Sequence, residues 1–404
     1  MNNPHPINLL VISGIFSLLL CSCADNPSQE SLTTNDFGTS QIHNEIDPQV
    51  AKHTCEAIAE ELSNNDHHSL EERIDTIPII AGISIAISHR PITLQQRRKI
   101  EQNLGGSVRR SLIPNIKQKQ WAMRRGTIDS DHYLCLLRSN IESDDARYLE
   151  YELKKIDNQL KIVDLHYVER NLKISESFSS AFNDFIELFS TIQNGNHEQQ
   201  ETAKQELAKV TAFWNQVGNI NPRGMQMAYY NLPARLKTSP VYIKITAASA
   251  RSLDNASYMN FLKDIQKNLF YEADRFGLLL LDYYLEYNQY EQAKRLIRQF
   301  NDYVGPDAYF DLYLARLEIA QGNNKAFYHY CLQALEHEST YLDPYSFLLD
   351  QLVADHHFED AVLVLSVLKY QFDRVLKEEH CDSSATYRKF CRSTEYLSWK
   401  QTSG

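Results

Sequence analysis

Four short stretches decide how the carboxyl half is built: Asn255-Ala256-Ser257-Tyr258, Tyr290-Glu291-Gln292-Ala293, Asn323-Asn324-Lys325-Ala326 and Phe358-Glu359-Asp360-Ala361. Aligned on their last residues, they recur at intervals of 35, 33 and 35 residues. A fixed period near 34 residues marks stacked supersecondary units. The surroundings repeat as well. Leu280, Leu281 and Tyr284 precede one anchor, Tyr313, Leu314 and Leu317 the next, and Leu348, Leu349 and Leu352 the last. Ile297 and Phe300, Tyr330, and Leu365 and Leu368 follow them. The small anchor residue lets a second helix approach a first, and the large residues fill the space between. Asn288-Gln289, Gly322-Asn323 and His356-His357 supply tight turns, while Gly305-Pro306 and Pro344 separate successive units.

This pattern resembles the tetratricopeptide (TPR) family. The resemblance implies an α-helical solenoid of TPR-like hairpins over residues 239–373, with three units in Asp274 to Asp373 and one from Ser239. The family's small eighth residue is Leu281, Leu314 or Leu349 here, and Tyr258 replaces the anchor Ala. Residues 175–238 read as helical, either as divergent repeats or as something else, and 374–404 as a capping segment. By family position, the concave groove would carry Asp282, Asp311 and Asp350, with Tyr242 and Arg275 nearby. A row of Asp favours a basic ligand segment; three solvated helix residues explain it equally well.

Residues 48–172 read differently. Helical periodicity spans Gln49 to Leu62 and follows Thr93 over Leu94 to Leu104, and a further helix is expected across Val108 to Arg125. Ile77 to Ile87 fits helix or strand. Then Asp131 to Asn140, Arg147 to Lys155 and Leu160 to Val168 read as strands, separated by Glu142-Ser143-Asp144-Asp145 and Asp157-Asn158. Helices first and an antiparallel sheet afterwards make an α+β domain. Tyr148 to Leu153 followed by Leu160 to Tyr167 resembles NTF2-like, cystatin-like domains, which implies helices packed on a curved sheet. Such domains range from enzymes to scaffolds. His132, Tyr151, Asp164 and His166 are the polar residues expected to line a pocket there.

The amino terminus reads as an address. Ile7 to Leu20 is apolar but shorter than the roughly 20 residues that span a bilayer, and Leu20-Cys21-Ser22-Cys23 follows it. This resembles a bacterial lipobox, implying a signal peptide over 1–22, a lipidated Cys23 and a periplasm-facing anchor at the outer membrane. The first six residues lack Lys and Arg, unlike the usual leader. Residues 23–47 are polar and acidic, as a tether is. Exported chains permit disulfides, and Cys381 with Cys391 is the expected pair; Cys331 reads as core filler.

Composition sets the outer limits. The 404 residues are 43% hydrophobic and 23% charged, ordinary globular values. Lys and Arg total 41 against 52 Asp and Glu, a net charge of -11, which argues against a general nucleic-acid binder. Yet Arg90 to Arg125 holds ten basic residues and one acid, Glu101. Arg97, Arg98, Arg109 and Arg110 could form an anion patch, or simply a solvated face. We find no metal-binding, phosphate-loop or nucleophile motif, so no cofactor or metal is expected. The reading is a non-catalytic envelope scaffold that binds a protein or peptide. Its alternatives are a small-ligand or weakly hydrolytic pocket in the α+β unit and a binder of anionic surfaces.

Overall fold

The computed structural model describes residues 46–403 apart from 89–104, 107, 115–119, 140–146, 220, 270–272 and 383. Cys23, Arg97, Arg98 and the expected helix at Leu94 to Leu104 lie outside the described residues. The architecture is an antiparallel sheet among helices, followed by a long helical region. Two compact units divide the chain, with the boundary between Tyr283 and Tyr284. It therefore falls inside the array expected over 239–373.

In the first unit, helix α1 (Pro48–Ser63) is capped by Asp47, whose carboxylate accepts from Gln49 N at 2.8 Å, with Pro48 in the first turn. Helices α2 (His67–Arg73) and α3 (Ile77–Ser88) follow. The doubtful Ile77 segment is thus helical. Five strands are ordered β1-β2-β3-β4-β5: β1 (Trp121–Asp129), β2 (His132–Ser139), β3 (Tyr148–Ile156), β4 (Gln159–Tyr167) and β5 (Leu172–Lys173). The helix expected across Val108 to Arg125 is corrected: among the described residues of that stretch only 108–111 are helical, and Trp121 onward is strand. The β3–β4 turn places Asp157 and Asn158 at φ 49° and 62°, left-handed at both central positions as a two-residue hairpin requires.

Alternation along the strands gives the sheet two faces. Tyr133, Cys135, Leu137, Leu149, Tyr151, Leu153, Leu165 and Tyr167 share one face and are buried. Helix α1 packs on this side through Ala51, Cys55, Ile58, Ala59 and Leu62. Cys55 and Cys135 form a disulfide with Cα atoms 5.9 Å apart. The opposite face carries His132, Glu150, Glu152, Asp164, His166 and Lys173.

Helices α4 (Ile174–Asn194), α5 (His197–Gly218), α6 (Pro222–Asn231), α7 (Ala234–Lys237), α8 (Pro240–Leu253) and α9 (Asn255–Leu269) complete this unit, with a 3₁₀ segment over Ala273–Leu280. Gly277 shows why that segment belongs with the sheet. Its φ is 55°, and a Cβ there would stand 2.6 Å from the Glu169 carbonyl oxygen. Only glycine permits so close an approach.

The second unit holds helices α10 (Leu281–Glu286, crossing the boundary), α11 (Tyr290–Val304), α12 (Ala308–Ala320), α13 (Asn324–His337), α14 (Leu342–Ala354), α15 (Phe358–Phe372), α16 (Glu378–Asp382), α17 (Ala385–Cys391) and α18 (Thr394–Ser403). Asn288, Gly322 and His356, 34 residues apart, adopt φ of 54°, 75° and 63°. The next residues, Gln289, Asn323 and His357, share φ near -90° and ψ of 61°, 64° and 67°. Each turn closes with the same bonds: Gln289 N to Tyr284 O, Asn323 N to Glu318 O and His357 N to Leu352 O, at 2.7, 2.9 and 2.8 Å. A second set joins Asn288 N to Leu285 O, Gly322 N to Ile319 O and His356 N to Val353 O. This paired closure is the Schellman motif, which satisfies the last carbonyls of a helix. Anchors Ala293 and Ala361 are fully buried, as are Leu314 and Leu349 nearly so, while Ala326 is half-buried. The unit expected from Ser239 departs from this geometry. Between α8 and α9, Asp254 is extended, at φ -168°, and caps Ser257.

Candidate functional site

On the polar face of the sheet, residues from four strands converge. His132 contacts Asp131 through Nδ1 at 2.9 Å and Glu152 through Nε2 at 3.2 Å. Lys173 Nζ lies 2.7 Å from Glu152 Oε2 and 3.7 Å from Asp164 Oδ2. Lys154 joins Asp131 at 2.7 Å. His166 approaches Glu150 at 3.7 Å and Asn171 Oδ1 at 3.1 Å. The sequence thus placed His132, Asp164 and His166 together, and the strand register brings them to one face. Tyr151 is a correction: it lies on the other face, fully buried, with its hydroxyl donating to Leu112 O at 3.4 Å.

Asp164 acts as a cap for a helix start. Its Oδ1 accepts from Leu165 N at 2.8 Å and from Ser175 N at 3.1 Å. Ser175 stands in the first turn of α4, whose own N-cap position, Lys173, makes no side-chain cap bond. A carboxylate from the neighbouring strand therefore satisfies a helix N-terminus. Burial pushes the Asp164 carboxyl up, and the Ser175 and Leu165 bonds hold it partly back. Among the described residues, no group of three or more His, Cys, Asp or Glu could hold a metal ion.

The groove residues fare differently. Asp311 is buried, and His337 Nδ1 lies 2.6 Å from its Oδ2. Burial raises its carboxyl, with His337 opposing. Helix α12 is covered on all sides, through Tyr309, Phe310, Leu312, Leu314, Ala315, Leu317 and Glu318. Asp350 is exposed but accepts from Tyr387 OH at 2.6 Å. Asp282 belongs to the other unit, 3.7 Å from Arg251. The expected row of three aspartates is therefore split and engaged internally. Tyr242 is a correction too: it is fully buried and donates to Asp184 at 3.1 Å. Arg275 sits in the 3₁₀ segment, with its side chain outside the described residues.

Arg109 donates to Glu71 O at 2.9 Å, and Arg110 is exposed beside it. Cys381 and Cys391 form a disulfide with Cα atoms 5.8 Å apart, tying α16 to the end of α17. Cys331 is buried as a free thiol, which burial pushes up to about 12. Sequence reasoning missed the buried ion pair of Lys294 with Glu318, at 2.6 Å, which joins α11 to α12. Burial would raise Glu318, but Lys294 and Asn323 outweigh it and hold it low. It also missed Lys244, whose buried amine donates to the Asn171 carbonyl and is lowered by burial to about 8.

Two second helices of the hairpins expose large apolar residues. Leu332 on α13 is 54% exposed, and Leu363 and Tyr370 on α15 are 66% and 72% exposed. Leu363 and Tyr370 stand two turns apart on one side of α15. Among the described residues, no helix is long and apolar enough to cross a membrane. In comparison with known proteins, the chain matches no family model, no curated protein and no solved structure.

Proposed function

We propose that this protein is a non-catalytic scaffold of the bacterial envelope, lipid-anchored through Cys23, whose TPR-like hairpins bind a protein partner. One observation carries the reading: the same Schellman turn recurs at Asn288, Gly322 and His356, 34 residues apart. Identical turns hold successive helix pairs in a common geometry, which is how a stack acquires a continuous binding surface. The polar residues of the sheet unit favour architecture over chemistry, because Asp164 caps α4 and Glu152 bridges His132 and Lys173.

The binding surface we assign is the outward side of α13 and α15, at Leu332, Leu363 and Tyr370, and not the aspartate row. A charge reversal at Asp311 would test folding, since it would strand His337 beside a buried cation. The informative comparison is capture from detergent-solubilised envelopes with wild type, Leu363→Asp/Tyr370→Asp and Asp164→Ala/His166→Ala. Loss of the captured protein in the first variant alone supports a scaffold; loss in the second variant alone, with its fold intact, contradicts it. Mass spectrometry of the mature amino terminus should find acylated Cys23, and an intact Met1 would overturn the anchor.

A further inference from the structure

A groove of 890 Å³ opens between α5 and α6, lined by Ala208, Lys209, Ala212, Gln216, Met227, Tyr230 and Lys237 among others. Its size falls within the range of ligand sites. Small residues contribute to its lining. Ala208 and Ala212 lie one turn apart on α5, and Gly224 on α6 also lines it. A Cβ at Gly224 would collide with Gln216 Oε1 at 2.1 Å.

The lining has two characters. Met227, 64% exposed, and Tyr230, 46% exposed, offer apolar surface. The Tyr230 ring is held in place by its hydroxyl bond to Asp264 at 2.9 Å, so it is a fixed wall. The charged residues of the lining are Lys209 and Lys237, with no carboxylate among them. Neither ammonium has an ion-pair partner among the described residues; the nearby Glu206 is taken by Arg235 at 3.2 Å. In a chain of net charge -11, two uncompensated lysines beside an apolar floor are an asymmetry. Gln216 accepts from Asn221 at 2.8 Å, and its amide nitrogen makes no hydrogen bond among the described residues. Asn221 and Asn231 add two further carboxamides. Carboxamides match the donors and acceptors of a peptide backbone.

We propose that this groove binds an extended acidic peptide segment of another protein, with carboxylates at Lys209 and Lys237 and apolar side chains on Met227 and Tyr230. Peptide fits better than a compact anion, because the lining combines two lysines with apolar side chains and carboxamides. The site is in the first unit, so it stands or falls separately from the repeat surface.

The test uses the full chain and two dye-labelled synthetic decapeptides, one alternating Glu with Leu and Phe, the other alternating Lys with Leu and Phe. Fluorescence anisotropy should show the acidic peptide binding at least ten-fold more tightly, and weakening as salt rises. Lys209→Glu with Lys237→Glu should reverse the preference. Ala212→Trp should fill the groove and abolish binding. Because that variant could disturb packing, the surface reversal, with an unchanged melting curve, decides. Equal binding of both peptides, or a preference untouched by the reversal, overturns the proposal. So does binding of phosphatidylglycerol vesicles without binding of the acidic peptide.

Discussion

Asp164 shows how far a residue type misleads without its neighbours. Paired with His166 in sequence, it suggests acid–base chemistry; in the fold it caps α4. Removing it leaves the half-buried Ser175 N–H without its acceptor. Asp164→Ala should cost about 1–3 kcal/mol, and Asp164→Asn should recover part of that loss. Urea unfolding measures both; an Ala variant as stable as wild type would contradict the capping role. No sequence signal announces this cap, since eleven residues and a strand separate the partners.

Asp184 carries a pH signature. Burial pushes its carboxyl up to about 6, while Tyr242 and Arg235 hold it partly back. The folded state therefore binds this proton more tightly than the unfolded chain. Its contribution to stability is fully present below about pH 4 and lost as pH rises through about 6. Asp184→Asn keeps the acceptor for Tyr242 and removes the titration. It should gain about 2 kcal/mol at pH 7 and nothing near pH 3. Equal shifts at both pH values would show that the carboxyl is not the cause.

At the scale of elements, β2, β3 and β4 were legible because alternation and the Asp157-Asn158 turn agree. Strand β1 was not: Trp121 to Asp129 contains Met123, Arg124, Arg125 and Gly126, a composition that continues a basic helix as readily as an edge strand. Strand β5 has two residues, too few for any pattern. The helical period was legible, but the recurring turn was hidden by the different residues that fill its left-handed position. Asn and Gly suit that conformation; His356 does not advertise it. This yields a graded expectation. Gly322→Ala should destabilise by about 1 kcal/mol, although open space surrounds it, because φ is 75°. Asn288→Gly and His356→Gly should be neutral or stabilising by a few tenths of a kcal/mol. Thermal melts of the three variants check the set, and the opposite ordering would rule out a shared turn.

The Cys55–Cys135 bond belongs to the same scale, since it fixes α1 to β2 across 80 residues of chain. Crosslinking so long a loop restricts the unfolded state, and loss of the bond should cost about 2–5 kcal/mol. Cys55→Ala with Cys135→Ala, melted under non-reducing conditions, reads that loss. The sequence could pair Cys381 with Cys391, only ten residues apart. It could not foresee a partner brought close by packing a helix on a sheet.

At the scale of the whole molecule, the division of the chain was the least legible feature. The array reads as continuous from Ser239, yet the boundary lies between Tyr283 and Tyr284. Tyr258 in place of Ala and the extended Asp254 are the local causes: the α8–α9 pair lacks the common turn. Gly277 then commits the following segment to the sheet unit. The charge logic changed in parallel. Three aspartates that looked like a ligand row are an internal partner of His337, a partner of Tyr387 and a neighbour of Arg251. The outward side of α13 and α15 still presents Leu332, Leu363 and Tyr370. On the proposed function, this outward side of α13 and α15 holds a protein partner. The most direct test of that claim is photo-crosslinking in intact cells, with a photoreactive amino acid at Leu332, Leu363 or Tyr370, and at exposed Val50 as reference. A discrete higher-mass adduct from the three repeat positions and none from Val50 is the predicted result; no adduct from the repeat positions, or the same adduct from Val50, would contradict it.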